Sequence, residues 1–496
     1  MRRRVARYAE TSESSSDLPP EIQSVDRDTS GSDGDSSNNG SNNNSDGTEE
    51  NPTVLASLQN AVYASWFNLL LVFVPMGYLA HYLEWPVVAV FVLNYLAIIP
   101  LSALMGFATE EVSLRLGTTW GGVVNAVFGN IVELIVAVIA LIEEEYRIVQ
   151  AGLIGSVLSN TLLVLGLVFT AGGLRHRVQL FHAEAAQCAG ALLALSVLSM
   201  IIPAAYHGVH AEGGEITNGI LVMSRGTALI LLLVYILFLV FQLKTHSEIF
   251  DGTHAGDMLS KEEEQSEELG RHNLGLSRTL TSSHSRDVVL WTSRVYDAGD
   301  SAQKNVRHKR RRPSSCQLRR SAPMMKLWVA AALLIAVSAM VALSSDILVD
   351  SVEELTTRYA ISHTFVGMIL LPLAANAAEH AMSMTVAVRD KMDLCITVAV
   401  GSSMQIALFV LPVLIIIAWI MNRPLTLFFD DFETTTMLIS VLVINYLIMN
   451  GRSNWLKGAM LLSSYLIVAL AFFLYPYDVD NPRATVSTSS SRAGIL

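Results

Sequence analysis

Two stretches place carboxylates where carboxylates are costly. VNAVFGNIVELIVAVIALI, from Val124 to Ile142, carries Asn125, Asn130 and Glu133 inside a run long enough to cross a bilayer. TFVGMILLPLAANAAEHAMSMTVAV, from Thr364 to Val388, repeats the arrangement with Asn376 and Glu379. An ionisable group near a membrane midplane costs at least about 2.5–3.5 kcal/mol on insertion scales, so it normally faces a polar cavity or an ion. Two further apolar runs bring Ser156, Ser159 and Asn160, and Ser402, Ser403 and Gln405, to comparable depth. At helical spacing Asn130 shares a face with Glu133, Asn376 with Glu379, Ser156 with Ser159 and Asn160, and Ser402 with Gln405.

Carboxylates, amide carbonyls and hydroxyls are the oxygens that a hard divalent cation such as Ca2+ collects, about six to eight of them. Mn2+ fits the same oxygens, and soft-metal ligands are absent from these segments. Two ionised glutamates facing each other without a cation repel and lose hydration. A divalent ion removes the repulsion. Because ligands must be deprotonated to bind, metal and protons compete for the same atoms, which is the chemistry of a proton-coupled exchanger. Gly129, Gly155 and Gly401 precede the polar clusters, and Pro372 lies inside the second stretch ahead of Glu379. They are expected to interrupt helices and turn carbonyls toward a cavity, the alternative being close packing of small residues between helices. His380 titrates in a useful range, but its neighbour on a helix points about 100° away, so it need not share the cavity.

The elements that must position these groups follow from composition. The chain has 496 residues, 52% hydrophobic and 16% charged, with a mean hydropathy of +0.44, which points to an all-α polytopic membrane protein. Apolar runs give eleven spans, near 62–80, 86–108, 121–142, 148–171, 183–204, 222–243, 326–345, 361–388, 394–421, 434–449 and 455–475. The net charge of −11 sits largely outside them, in the N-terminal region and one long polar segment. MRRR is followed at once by polar sequence, so no cleavable signal is expected. Three cysteines, Cys188, Cys316 and Cys395, suggest neither a disulfide framework nor a metal cluster.

The expected organisation is a disordered, cytosolic region 1–60, an accessory first helix 61–82, a five-helix repeat 83–245, a cytosolic loop 246–325, a second five-helix repeat 326–477 and a disordered tail 478–496. Glu110-Glu111 aligns with Glu353-Glu354, GNIVE (129–133) with ANAAEH (375–380), and GSVLSN (155–160) with GSSMQI (401–406). Five spans separate each pair, so the second unit is inverted relative to the first, a recurring architecture of secondary transporters. With the N-terminus inside, inner short loops carry Arg115, Arg175, Arg177, Arg389, Lys391, Arg452 and Lys457, against Arg147, Arg358 and Arg423 outside. That bias favours the stated orientation.

GNIVELIVAVIAL, RIVQAGLIGSVLSNTLLVLG, NAAEHAMS, RDKMDL and AVGSSMQIALFV together resemble the signature segments of the cation/proton exchanger family, the vacuolar-type Ca2+/H+ antiporters. The resemblance covers roughly residues 60–245 and 325–477. It implies Glu133 and Glu379 as carboxylates alternately protonated and Ca2+-bound, with Asn130, Asn376, Ser159 and Gln405 lining the site. It implies export of cytosolic Ca2+ into an acidic organelle such as the vacuole, driven by H+ and with no cofactor, and spans two and seven as the sliding pair. Such exchangers also carry an acidic helix after the first repeat that attracts or senses Ca2+. KEEEQSEE (261–268), with Glu263, Glu264, Glu267 and Glu268, resembles it, the plainer reading being a solvated charge run. The basic run 307–320, with Ser314 and Ser315 as candidate phosphorylation sites, marks the inner side and is able to meet anionic lipid headgroups. His207, His210, Glu212 and Glu215 form a polar outer loop, and Asp346 and Asp350 are expected at the outer end of span seven, placed to gather cations.

Other classes fit less well. There is no H-E-x-x-H helix and no G-x-S-x-G elbow, which removes the usual signs of an intramembrane hydrolase, and nothing suggests a nucleic-acid partner. A cation channel would use acidic rings, whereas paired buried carboxylates suit alternating access. Na+ in place of H+ is the main alternative coupling ion.

Overall fold

The computed structural model describes residues 65–209, 215–250, 324–359 and 361–475, with isolated positions before residue 65. In chain order, α1 (Trp66–Tyr82) is a shorter apolar helix, and α2 (Val87–Gly117) is the first of membrane length. A pair bent by 43°, α3 (Trp120–Phe128) and α4 (Ile131–Ile142), leads to α5 (Tyr146–Arg175), α6 (Ala183–His207) and α7 (Asn218–Thr245). After the long polar segment come α8 (Leu327–Tyr359), a second pair bent by 55°, α9 (His363–Ala375) and α10 (Ala377–Val388), then α11 (Met392–Ile420), α12 (Asp431–Ile448) and α13 (Trp455–Phe473). Among the described residues eight helices are individually long and apolar enough to cross a membrane, and ten spans result if each bent pair is one. Helices dominate because a backbone in lipid must satisfy its own hydrogen bonds. Strand is confined to a two-residue antiparallel pair, β1 (Gln179–Leu180) with β2 (Arg452–Ser453).

Each bent pair breaks at an asparagine. Asn130 and Asn376 leave the helical region, at φ −111°, ψ 30° and φ −94°, ψ 2°, and each opens a helix of 12 residues whose third member is the glutamate. Neither amide caps its own helix. Each asparagine therefore stands at a corner, and the expectation that it shares a continuous helix face with the glutamate is corrected.

The glycines divide. Gly129 ends α3 at the break, as interruption requires, but α5 and α11 run on through Gly155 and Gly401. Gly155 instead admits a neighbour, for a Cβ there would lie 2.1 Å from the carbonyl oxygen of Met368. Pro372 cannot donate to the carbonyl four residues back, which is that of Met368. A π-turn over Val366–Leu370 precedes it, widening the helix where the proline would clash.

Two sets of loops gather at opposite ends. At one, Arg147 meets buried Glu433 at 3.3 Å, Arg423 pairs with Glu144, and Gln150 donates to the carbonyls of Thr426 and Phe428 at 3.0 and 2.9 Å. At the other, Gln179 donates to Ala387 O and to Asp390 Oδ1 at 2.9 and 2.8 Å, and the His182 amide to Asp393 Oδ1 at 2.6 Å. The long helices α2 and α8 pack against each other, and Tyr78 of α1 donates to Met340 O of α8 at 3.0 Å. Buried Glu111 of α2 accepts from the amides of Met324 and Met325, just ahead of α8, at 3.2 and 2.9 Å. Asp346 and Asp350, expected at a span end, lie within α8, which continues to Tyr359. Glu263, Glu264, Glu267, Glu268, Cys316, the basic run and His210 with Glu212 lie outside the described residues.

Candidate functional site

The two breaks bring the predicted groups to one place. Glu133, at 9% exposure, and Asn130, at 2%, are buried, as are Ser159 and Asn376, while Glu379 and Gln405 are half-buried. The carboxylates of Glu133 and Glu379 are near enough for their charges to act on each other. Asn125, expected at buried depth, is exposed and does not join them.

Around Asn130 the side chains form a string across the two halves. Asn160 donates to Ser402 Oγ at 3.1 Å, Ser402 donates to Asn130 Oδ1 at 2.7 Å, and Asn130 Nδ2 donates to Gln405 Oε1 at 2.8 Å. The corresponding amide of Asn376 is 1% exposed and neither its oxygen nor its nitrogen has a partner. Ser159 pairs with the Nε2 of His380 at 3.3 Å. Ser403 turns to backbone carbonyls, donating to Ala399 O at 2.8 Å. Asn160 and Ser402 thus have a structural part that sequence reasoning noticed only as polarity at membrane depth. The available signal was partial: Ser402 follows Gly401 as Ser156 follows Gly155, whereas Asn160 aligns with Ile406.

A narrow cleft is lined by Ile148 and Val149, beside Arg147, and by Glu133, Ser156 and Pro372. Ile148 to Ser156 is eight residues of α5, about 12 Å of helix, so the cleft penetrates well into the span. From the opposite end a second cleft passes His182, Asp393 and Thr397 and ends at Gly401 and Gln405. Glu133 lines the first cleft, and neither glutamate lines the second. Among the described residues no three of His, Cys, Asp and Glu cluster as a metal site. Two carboxylates accompanied by neutral amides and hydroxyls are a set of oxygens suited to a hard ion that must also leave.

Glu145 joins α4 to α5, two residues before Arg147 and outside the spans. Burial pushes its carboxyl up from the ordinary value of 4.5; nearby His363 opposes the shift, and Glu353 and Glu143 add to it.

The sequence profile described as "Sodium/calcium exchanger protein" matches residues 86–244 and 329–474. A vacuolar calcium ion transporter of Schizosaccharomyces pombe is 41% identical over 423 residues, 85% of this chain and 88% of the relative. A Ca(2+)/H(+) antiporter of Aphanothece halophytica is 38% identical over 411 residues, 83% of this chain and 96% of the relative. The crystal structure of the selenium-substituted Ca2+/H+ antiporter protein YfkE superposes with a TM-score of 0.60 at 29% identity, covering 82% of this chain and 99% of that one.

Proposed function

This chain belongs to the sodium/calcium exchanger protein family, an integral membrane transporter family, and from that premise we propose that it is an antiporter moving cytosolic Ca2+ into an acidic organelle in exchange for H+. Relatives named as vacuolar calcium transporters and Ca2+/H+ antiporters support the substrates and the compartment. Glu133 and Glu379 hold the ions alternately, with Asn130, Asn376, Ser159 and Gln405 lining the site. The observation that supports this reading is the pair of glutamates, one from each broken helix, close enough for their charges to act on each other, with Glu133 lining a cleft.

The chemistry follows from sequestration. Two carboxylates away from water are poorly tolerated bare, because each loses hydration and repels the other. Ca2+ neutralises both at once, and protons neutralise them one each. Loading from the cytosol therefore displaces protons, and high proton concentration in the organelle displaces Ca2+. In this reading the Arg147 end faces the organelle lumen, while the β1–β2 end, the N-terminal region and the 246–325 loop face the cytosol, as the Lys and Arg bias favours. The two five-helix halves, related by inversion, exchange access to the site.

The test is Ca2+-dependent proton release from sealed vesicles carrying the purified protein. Glu133→Gln and Glu379→Gln are each expected to abolish it while the protein stays in the membrane. Retention of proton-driven Ca2+ uptake in both variants rejects the assignment.

A further inference from the structure

We infer that the asparagines at the two breaks are alternating gates, with Ser402 and Gln405 holding one shut and Ser156 and Ser159 receiving the other. This rests on the proposed exchange at Glu133 and Glu379 and adds what closes each side of it.

The two asparagines lie on opposite sides of the glutamates. α4 runs from Asn130 toward the Arg147 end, so Asn130 is one turn from Glu133 on the β1–β2 side. α10 runs the other way, toward Asp390 and Gln179, which places Asn376 on the Arg147 side of Glu379. The amide on the β1–β2 side is tied at both ends, to Ser402, itself held by Asn160, and to Gln405, and the cleft from that side stops at Gln405. The amide on the Arg147 side is buried without any partner, and the cleft from that side continues to Ser156 and Glu133. The paired amide lies on the side whose cleft stops short of both glutamates, and the unpaired amide on the side whose cleft reaches Glu133.

The halves supply matching partners. α4 and α10 are both 12 residues with the asparagine at the head, and GSVLSN aligns with GSSMQI, setting Ser156 opposite Ser402 and Ser159 opposite Gln405. The hydroxyls equivalent to the groups that hold Asn130 are therefore within the same framework as Asn376. In this structure Ser159 is engaged by His380 and Ser156 lines the cleft. A buried amide with both ends unsatisfied is costly, so closure of the Arg147 side around Asn376 gains two hydrogen bonds while opening the β1–β2 side releases those of Asn130. Equal and opposite exchanges leave the two states close in energy, which alternating access needs.

Breaking a bond made in only one state shifts the balance to the other, and apparent affinity scales with the fraction of protein able to bind. Ser402→Ala weakens the state sealed toward the cytosol. It is expected to lower the cytosolic Ca2+ concentration giving half-maximal uptake about two- to tenfold, the range one hydrogen bond supports. Ser156→Ala is expected to raise it, and Ser402→Thr, which keeps the hydroxyl, to restore the parent value. A transport-independent reading comes from Val136→Cys, at a position lining the cleft that reaches Glu133, in a background without Cys188, Cys316 and Cys395. Its labelling by an impermeant thiol reagent from the lumenal side should slow in Ser402→Ala and not in Ser156→Ala. Shifts of the same sign in both serine variants, or none, overturn the gates. Loss of the glutamate assignment with opposite labelling shifts intact overturns only the ion site.

Discussion

A Cβ at Gly155 would stand 2.1 Å from the carbonyl oxygen of Met368, in backbone that cannot swing aside, whereas a Cβ at Gly401 meets nothing within 4 Å. Gly155→Ala is therefore expected to destabilise the protein by about 1–3 kcal/mol through overpacking, and Gly401→Ala to be neutral or to gain about 0.5–1 kcal/mol from helix propensity. Thermal unfolding in detergent separates the two. Equal effects would mean that α5 and α9 are not pressed together at this point. In the sequence both glycines precede a polar cluster in the same way, and only the freed carbonyl ahead of Pro372 distinguishes them. Glu133 and Glu379 were legible, because a carboxylate in a long apolar run has few cheap explanations. The corner role of Asn130 and Asn376 was not legible, since an asparagine within a helical pattern reads equally as an inward-facing polar residue. Asn125 illustrates the cost of that ambiguity: it belongs to the same stretch as Asn130 and ends up exposed.

Elements depend on what holds their ends. The Arg147–Glu433 pair fixes the start of α5 against α12, with the Glu433 side chain at 0% exposure and the Arg147 side chain at 32%. Glu433 also accepts from the Asp430 amide in a capping box. Arg147→Ala leaves a buried carboxylate without its cation and is expected to cost about 3–5 kcal/mol. Arg358→Ala removes a pair exposed on both sides and is expected to cost about 0–1 kcal/mol. The difference reads directly as unfolding temperature. Glu145, at the α4–α5 turn, supplies a pH dependence. Its folded pKa is raised, chiefly by burial, so its stabilising contribution is complete below the ordinary value of 4.5 and is lost as pH rises through the folded value. Glu145→Gln should accordingly flatten the fall in unfolding temperature on going from acid toward neutrality, and an unchanged slope counts against the buried placement. At this scale the apolar runs located most long helices to within several residues, because hydrophobic length is written locally, but α2 and α8 continue to Gly117 and Tyr359, well past the runs expected at 86–108 and 326–345. The breaks between α3 and α4 and between α9 and α10 were not, because a break depends on what the facing helix offers.

At the scale of the whole molecule, charge decides what can drive transport. In the proposed exchange the site holds two carboxylates and otherwise neutral amides and hydroxyls, and among the described residues no group of three His, Cys, Asp and Glu forms a metal cluster. Loaded with Ca2+ the pair is neutral; loaded with two protons it is neutral as well; empty and ionised it carries two negative charges within a low-dielectric core. Moving a charge through the full membrane potential is worth about 2.3 kcal/mol per 100 mV, but neither neutral form feels that force as it is carried across. The empty form is held back by the repulsion and desolvation of its carboxylates, which suppresses slippage without exchange. A potassium diffusion potential imposed on proteoliposomes without a pH gradient is therefore expected to drive no Ca2+ uptake, and a pH gradient with the voltage clamped at zero is expected to drive it fully. Uptake that follows voltage with the pH difference abolished would show that charge moves with the cation, and would require a further ionised group in the site or a single coupled proton.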